Sequence, residues 1–525
     1  MSKMKQQIAK SLFQRGLNFS NFATQLVRNS ATATVNASSY YDAELAAAKP
    51  FEEMPKLPMV PILGSSWTYM PIIGKYNLLK LHEADREKHK IYGDVVRERF
   101  GHLNAVLSFN PADMETIFRQ EGSYPSRGEF TTLKAYRESR KQWYKTTGIM
   151  VLSGPEWWDL RSKVQKHLMK PKAIQSYLSP MQDVAQDLVD RIYKERDQQQ
   201  EFPDLLLNLY NWALESVALV GLDTRLGCLS SNLTAGSDSL RMINAVQTQF
   251  ECMNKLEAFA GNFQYWKYFS TPTWKRFTKA ADTFTEIAFK YINKAVESLK
   301  NKKDDEDLTL LQNMLLTKGL DASGAMVTVA DMLMAGIDTT SHTVGFMLYH
   351  LSKHPDKQEI LFDELKRLLP NKGDRISPEV FSELRYLKSC LKESIRLDPI
   401  VRGNARTLDH DVVVSGYRVP AGTTIFVILQ QICRSEKYFK NANQYIPERW
   451  LDKDEKPSNP FSYVPFGIGT RSCVGRRLAE LEIICLIAQI LRNFKLEYHH
   501  EDIDMHTRLV NIPDRPLRFN FIERS

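Results

Sequence analysis

A mainly α-helical domain with a small β region is what this 525-residue chain predicts, on three observations. Residues 175–320 carry apolar side chains at helical spacing with short polar breaks, Ala322 to Lys353 continues that pattern unbroken, and strand-like runs are few and short. With 43% hydrophobic and 10% aromatic residues the chain can bury a large core, although its length alone suggests two or three domains. The cysteines, at 228, 252, 390, 433, 473 and 485, contain no C-x-x-C pair and offer no evident disulfide framework, which fits a reducing compartment.

The N-terminus comes first. A formal charge of +8 raises nucleic acid as a partner, but residues 1–41 hold five basic residues (Lys3, Lys5, Lys10, Arg15, Arg28) and no acid. Setting these aside leaves 65 basic against 62 acidic residues, so the excess belongs mostly to this segment and no nucleic-acid surface is expected. Its Ser, Asn, Ala and Thr content and the apolar Ile8, Leu12, Phe13, Leu17 and Phe22 predict a disordered mitochondrial transit peptide over 1–40, cleaved near Arg28 to Ala37. No compact apolar stretch suited to a secretory signal or membrane anchor lies near the start. Prolines 50, 55, 58, 61 and 71 predict a stiff linker over 41–71, with one folded domain over 72–525.

From Leu78 the pattern turns helical, and then 94–100 and 105–109 read as two short strands around Gly101. Asn110-Pro111 opens another helix, since proline is tolerated in a first turn. Gly154-Pro155 begins a third, which sets Trp157 and Arg161 on one face at i, i+4. A bundle follows over 175–320, with loops near 196–202, 231–237 and 301–307. Asn232-Leu233-Thr234 matches a glycosylation sequon, a chance match in a chain that is not secreted.

The run Ala322–Lys353 ends at His354-Pro355, where proline stops a helix. At about 1.5 Å per residue it crosses a whole domain. Its middle reads Ala335-Gly336-Ile337-Asp338-Thr339-Thr340-Ser341. Glycine there costs about 1 kcal/mol against alanine, and Asp and Thr are also unfavourable inside helices. A local conflict of this kind marks function. Ala335 and Thr339 share a face, so a small side chain makes room where a hydroxyl reaches, and Asp338 and Thr339 are the candidate proton path.

Farther on, Glu393 and Arg396 stand at i, i+3 in a helix that also carries Lys388 and Lys392, and Pro447-Glu448-Arg449-Trp450 follows. The last distinctive stretch is Pro465-Phe466-Gly467-Ile468-Gly469-Thr470-Arg471-Ser472-Cys473-Val474-Gly475, before the apolar helical run Leu478–Leu491. A cysteine at a helix start meets the positive end of the helix dipole, which favours the thiolate and metal ligation. Zinc would require several ligands at paired spacings, and no companion histidine stands near Cys473. A lone cysteine among close glycines, which let a flat ligand approach the backbone, points to an axial haem thiolate. A buried structural cysteine beside a glycine-rich turn is the plain alternative.

The string Phe-Gly-x-Gly-x-Arg-x-Cys-x-Gly closely resembles the haem-binding signature of the cytochromes P-450. The resemblance spans roughly residues 50–525 with at least five motifs in the family's order. It implies a single haem domain of that fold, haem b held by Cys473, and contacts to the cofactor from Trp157, Arg161, Arg406, Phe466, Arg471 and Gly475. It implies that Asp338 and Thr339 support proton delivery during oxygen activation, and that Glu393, Arg396 and Arg449 form a buried network behind the haem. Arg402 departs from the pattern, since many members have a second proline after Pro399 there, and this leaves the substrate side open. Pocket candidates are Met332, Ala335, Ile400, Val401, Val510 and Ile512.

Lys388 and Lys392, together with Arg476 and Arg477, resemble the mitochondrial branch, whose lysines at these places bind an acidic 2Fe–2S ferredoxin, adrenodoxin-like, served by an NADPH-dependent reductase. The implied reaction is monooxygenation of a lipophilic small molecule, steroid-like or xenobiotic, with O2. The expected place is the matrix side of the inner mitochondrial membrane, with peripheral contact to it. Competing readings are a microsomal-type monooxygenase served by a flavoprotein reductase, a haem-thiolate sensor or carrier, and a non-redox scaffold.

Overall fold

In the computed structural model the described residues are 41–524, apart from 102, 129, 171–173, 204, 231–233, 235, 261–263 and 299–307. The transit-peptide expectation for 1–40 and the Asn232 sequon lie outside them. The expected class is found: helices dominate, with small sheets at the margin.

The N-terminal helices are α1 (Leu81–Tyr92), α2 (Pro111–Gln120), α3 (Thr131–Ser139), α4 (Gly154–Leu168) and α5 (Leu178–Glu195). Next come α6 (Leu205–Leu222), α7 (Asp238–Ala260), α8 (Pro272–Ser298), α9 (Leu310–Leu315) and α10 (Ala322–Lys353). The remaining helices are α11 (Pro355–Leu368), α12 (Pro378–Glu383), α13 (Arg385–Leu397), α14 (Leu429–Cys433) and α15 (Arg476–Asn493). Their ends follow local chemistry. Asn110 caps α2 by accepting from Ala112 N–H with Pro111 in the first turn, and Asp321 caps α10 by accepting from Gly324 N–H.

The largest sheet joins β1 (Val95–Phe100), β2 (Leu103–Ser108), β4 (Asn404–Thr407) and β7 (Thr424–Val427) in the order β1-β2-β7-β4. Only β2 and β7 run parallel in it, as strands far apart in sequence can. The others are β3 (Glu201–Phe202) with β8 (Phe494–Glu497) and β11 (Phe519–Glu523), β5 (Val412–Val414) with β6 (Tyr417–Val419), and the hairpin β9 (Met505–Arg508) to β10 (Val510–Pro513).

Helix α10 lies at the centre, against α6, α8, α13, α15, β8 and β10. Gly336 belongs to this packing: a β-carbon there would come within 3.3 Å of Val217 on α6. The helical cost of that glycine is thus offset by close approach of two core helices. Helix α6 is long and apolar enough to cross a membrane, but 83% of it is buried in this core. The proline-rich stretch 50–71 is irregular and packed on the body, with Phe51, Met54, Leu57 and Tyr69 buried and backbone bridges from Lys56 to Arg97 and from Gly64 to Phe100.

Candidate functional site

The Cys473 loop is set by two left-handed glycines. Gly467 and Gly469 have φ of 67° and 71°, where a side chain is strained, and a β-carbon on Gly469 would also meet the Glu121 carboxylate at 2.8 Å. The loop closes through a 2.8 Å bond from Cys473 N–H to the Phe466 carbonyl. Gly475, the N-cap of α15, has a negative φ, and a β-carbon there would enter open space.

Cys473 precedes the first helical residue by three positions, and its thiol is pushed up by burial. The Gly475 N–H, Arg161, Arg127 and Arg476 act in the opposite direction. The expectation that the helix start alone favours the thiolate is therefore corrected: desolvation outweighs the nearby donors. The residue is nevertheless exposed. Cys473 is thus accessible at its surface, yet enough protein surrounds the sulfur for burial to raise its thiol.

Four guanidiniums gather on one side of this loop. Arg161 of α4 donates to the Ser472 carbonyl at 2.7 Å. Arg471 donates to the Pro125 and Leu152 carbonyls, and its charge sits 3.7 Å from the centre of the Trp157 ring. Arg406 of β4 is paired with Glu121, while Arg127 reaches the Met150 carbonyl at 2.8 Å. Burial, with repulsion from Arg127, Arg406 and Arg161, pushes Arg471 down to about 9. Burial likewise lowers Arg161 to about 10. Glu121 bears on Arg471 and Asp331 on Arg127, fewer carboxylates than guanidiniums, so the cluster keeps excess positive charge. That imbalance fits a ligand bearing carboxylates at its edge, and the open space over Gly475 and Cys473 fits a flat body. The residues present therefore suit haem.

Trp157 and Arg161 do share a buried face of α4, as their spacing requires. Arg127 and Glu121 were not legible in sequence. They lie in and before an irregular loop with no periodicity, and only folding brings them to the Cys473 segment.

Midway along α10 the buried pattern is broken by Met332, Ala335, Gly336 and Thr339, which are partly exposed and form a single stripe. Thr339 donates back to the Ala335 carbonyl at 2.8 Å, a bond that loosens the helix locally. Asp338 is buried, its Oδ1 lacks a partner among the described residues, and burial pushes it up to about 7 against a lowering by Arg508. One residue farther, Thr340 donates at 2.9 Å to Glu482 of α15, another buried carboxyl that sequence reading missed.

Of the other pocket candidates, Ile400, Val510 and Ile512 are buried in the main core. Asn511 of β10 donates through its N–H to the Ile400 carbonyl and through Nδ2 to the Pro399 carbonyl, both at 2.8 Å, which ties the hairpin to the chain after α13. Val401 is 46% exposed and stands outside that core. Arg402 pairs with the buried Asp85 of α1, so the departure at this position carries a tie between two segments.

Glu393, Arg396 and Arg449 are brought together and buried. Arg396 grips Glu393 through two bonds of 2.9 and 2.8 Å, Arg449 adds one of 3.0 Å, and Trp450 donates its indole N–H at 2.8 Å. Burial pushes the Glu393 carboxyl up, but the Arg396 bond and both guanidiniums outweigh it and hold the group below its usual range. Arg396 also donates to the carbonyls of Cys433, Ala442 and Gln444, so the network fastens α13 to the chain leading into the cysteine loop.

Lys388 departs from expectation. It is half-buried, its ammonium donates to the Phe381 and Ser382 carbonyls at the end of α12, and it lies 4.7 Å from the Phe381 ring centre. It is a helix-end cap rather than a bare surface charge. Lys392, Arg476 and Arg477 are exposed as expected. Arg476 is bonded to Glu480 at 2.9 Å.

A family model described as Cytochrome P450 matches residues 61–521. The chain is 36% identical over 506 residues to "Probable cytochrome P450 12a5, mitochondrial" of Drosophila melanogaster, covering 92% of each protein. It is 35% identical over 486 residues to "Probable cytochrome P450 301a1, mitochondrial" of the same species, covering 90% of this chain and 87% of that one. It is 35% identical over 552 residues to "Cytochrome P450 CYP12A2" of Musca domestica, covering 100% of this chain and 99% of that one.

Proposed function

The chain belongs to the cytochrome P450 family and is a monooxygenase of mitochondrial type, and on that premise we propose that it binds haem through Cys473, draws electrons from a 2Fe–2S ferredoxin and oxygenates a lipophilic small molecule. The observation that carries the cofactor assignment is the exposed Cys473 thiol beside four guanidiniums that outnumber the carboxylates facing them. When bound, haem supplies the oxygen chemistry.

The chain's own residues supply the rest. Cys473 holds the cofactor, and Arg161, Arg406 and Arg471, with Arg127, bind its carboxylates. Trp157 carries the Arg471 charge on its face. Phe466 and Gly475 border the flat face, and Met332, Ala335, Ile400, Val510 and Ile512 line the substrate side and exclude water. Asp338 holds a proton at its carboxyl near neutral pH, as burial dictates, and Thr339 passes it on through its hydroxyl.

Lys392, Arg476 and Arg477 are exposed cations that steer an acidic ferredoxin. Relatives named mitochondrial support a mitochondrial location, and the place proposed within it is the matrix side of the inner membrane, reached by import directed by residues 1–40. The exposed Ile62, Ile72 and Ile73 support peripheral contact with the inner membrane.

The test is direct. The purified protein, reduced under carbon monoxide, should give the red-shifted absorption of a thiolate-ligated ferrous carbonyl. It should oxidise NADPH in a substrate-dependent manner with a ferredoxin and its reductase. A colourless protein would overturn the cofactor assignment. Turnover with a microsomal flavoprotein reductase but none with ferredoxin would overturn the partner.

A further inference from the structure

Helix α10 carries a second buried polar group on the Asp338 face, and the proposed chemistry leaves it unused. His342 lies one turn after Asp338, and both side chains are buried. Each has one atom without a hydrogen-bond partner among the described residues, Oδ1 of Asp338 and Nδ1 of His342. The i, i+4 spacing sets them on one helix face. Helical side chains lean toward the N-terminus, which directs the nearer ring nitrogen of His342 to the turn bearing Asp338. Buried polar atoms are almost always satisfied; no direct hydrogen bond or ion pair joins these two, and their shared helix face places them to be bridged by one water molecule.

The far ring nitrogen fixes the polarity of that contact. Nε2 is 2.7 Å from the Tyr210 hydroxyl of α6, and the two rings meet edge to face at 5.3 Å. A phenol is the better donor of this pair and a neutral imidazole the better acceptor, so Tyr210 donates to Nε2. The single proton of the ring then sits on Nδ1, toward Asp338. The ring is neutral, because burial, reinforced by Arg508, pushes His342 down to about 3.

Around this pair, Tyr210 faces it from α6, and Arg508 at the end of β9 bears on both residues. Glu215 of α6 is taken up by Arg225 and by the N–H groups of Gly227 and Cys228. Glu482 of α15 meets α10 at Thr340.

We propose that His342, fixed in one tautomer by Tyr210, is a positioning residue for Asp338, and that its Nδ1–H, through one bridging water molecule, orients the carboxyl from which a proton is delivered. This rests on the reading of Asp338 as part of the proton path. It adds to that reading a second-turn histidine and a partner on another helix, so that the path is anchored in the α6–α10 contact rather than in α10 alone.

The test reads the Asp338 carboxyl itself, in the full chain, by the infrared stretch of its protonated form identified as the band lost in Asp338→Asn. In His342→Phe, which keeps a ring but removes both nitrogens, that band should persist to higher pH, by about one unit, because the carboxylate loses a donor. His342→Asn keeps a donor near the Nδ1 position and should titrate like the wild type. Tyr210→Phe frees the tautomer and should give a smaller upward shift. Peroxide formed per NADPH consumed should rise severalfold in His342→Phe and return toward wild type in His342→Asn.

A folded His342→Phe variant whose Asp338 band titrates at the wild-type pH would overturn the proposal. If that variant does not fold, an unshifted band in Tyr210→Phe overturns it equally. Failure of the monooxygenase reading is separately visible: the wild type would then give no ferrous carbonyl band, while the infrared titration would still report on the pair.

Discussion

Thr340 of α10 donates a 2.9 Å hydrogen bond to Glu482 of α15, the only one that this buried carboxyl accepts among the described residues. Burial pushes Glu482 up to about 8. Its proton is therefore held more tightly folded than unfolded. The resulting stabilisation is complete below the ordinary glutamate range and is lost as pH rises through about 8. Melting temperatures measured across this range should fall on the alkaline side, and Glu482→Gln, which keeps the shape without the charge, should remove much of that fall. A Gln variant that loses stability in parallel with the wild type would refute this.

Cys473→Ala should abolish the ferrous carbonyl band. The other cysteines are buried, and among them Cys390, Cys433 and Cys485 have thiols that burial raises well above their ordinary range. Melting of the cofactor-free protein should change by only about 1 kcal/mol or less, because the side chain makes little packing contact where it is exposed. A variant retaining the band would place the ligand elsewhere.

Thr339→Ala should leave haem and substrate binding intact while raising peroxide or excess water per NADPH oxidised. Losing a hydroxyl that carries protons costs about 10²-fold or more in that step. Helix α10 should not suffer, since the bond lost is a back-bond to Ala335 and alanine is the better helix former. Unchanged coupling would remove Thr339 from the mechanism.

The two lysines of α13 should separate. Lys392→Gln should slow reduction by ferredoxin, flatten its dependence on salt and leave melting unchanged, as befits an exposed charge. Lys388→Gln should lower stability by about 1–2 kcal/mol by releasing the Phe381 and Ser382 carbonyls. Equal effects of the two substitutions on melting would contradict their different surroundings.

Arg449→Leu should reduce the yield of folded protein severely. Removing one partner from a buried charged set costs about 3–5 kcal/mol, because Glu393 loses a guanidinium and the Lys440 carbonyl loses its donor. Normal expression and haem content would show the network to be dispensable.

The sequence by itself determined the helical class, the reach of α10 from Ala322 to Lys353 and the motifs around Asp338, Glu393 and Cys473, because these depend on periodicity and on residues within a turn or two of each other. Only the tertiary structure decided what depends on burial and on distant neighbours. It brought Arg127 and Glu121 to the cysteine loop, turned Lys388 from a surface charge into a cap on α12, and gave Arg402 its partner Asp85 from another part of the chain. It also reversed the expectation for the Cys473 thiol, since a helix terminus can be read from residue order but the loss of water around a sulfur cannot. The pairing of Thr340 with Glu482 and of Tyr210 with His342 has the same origin: each joins side chains more than a hundred residues apart, and no local pattern encodes which helix faces will meet.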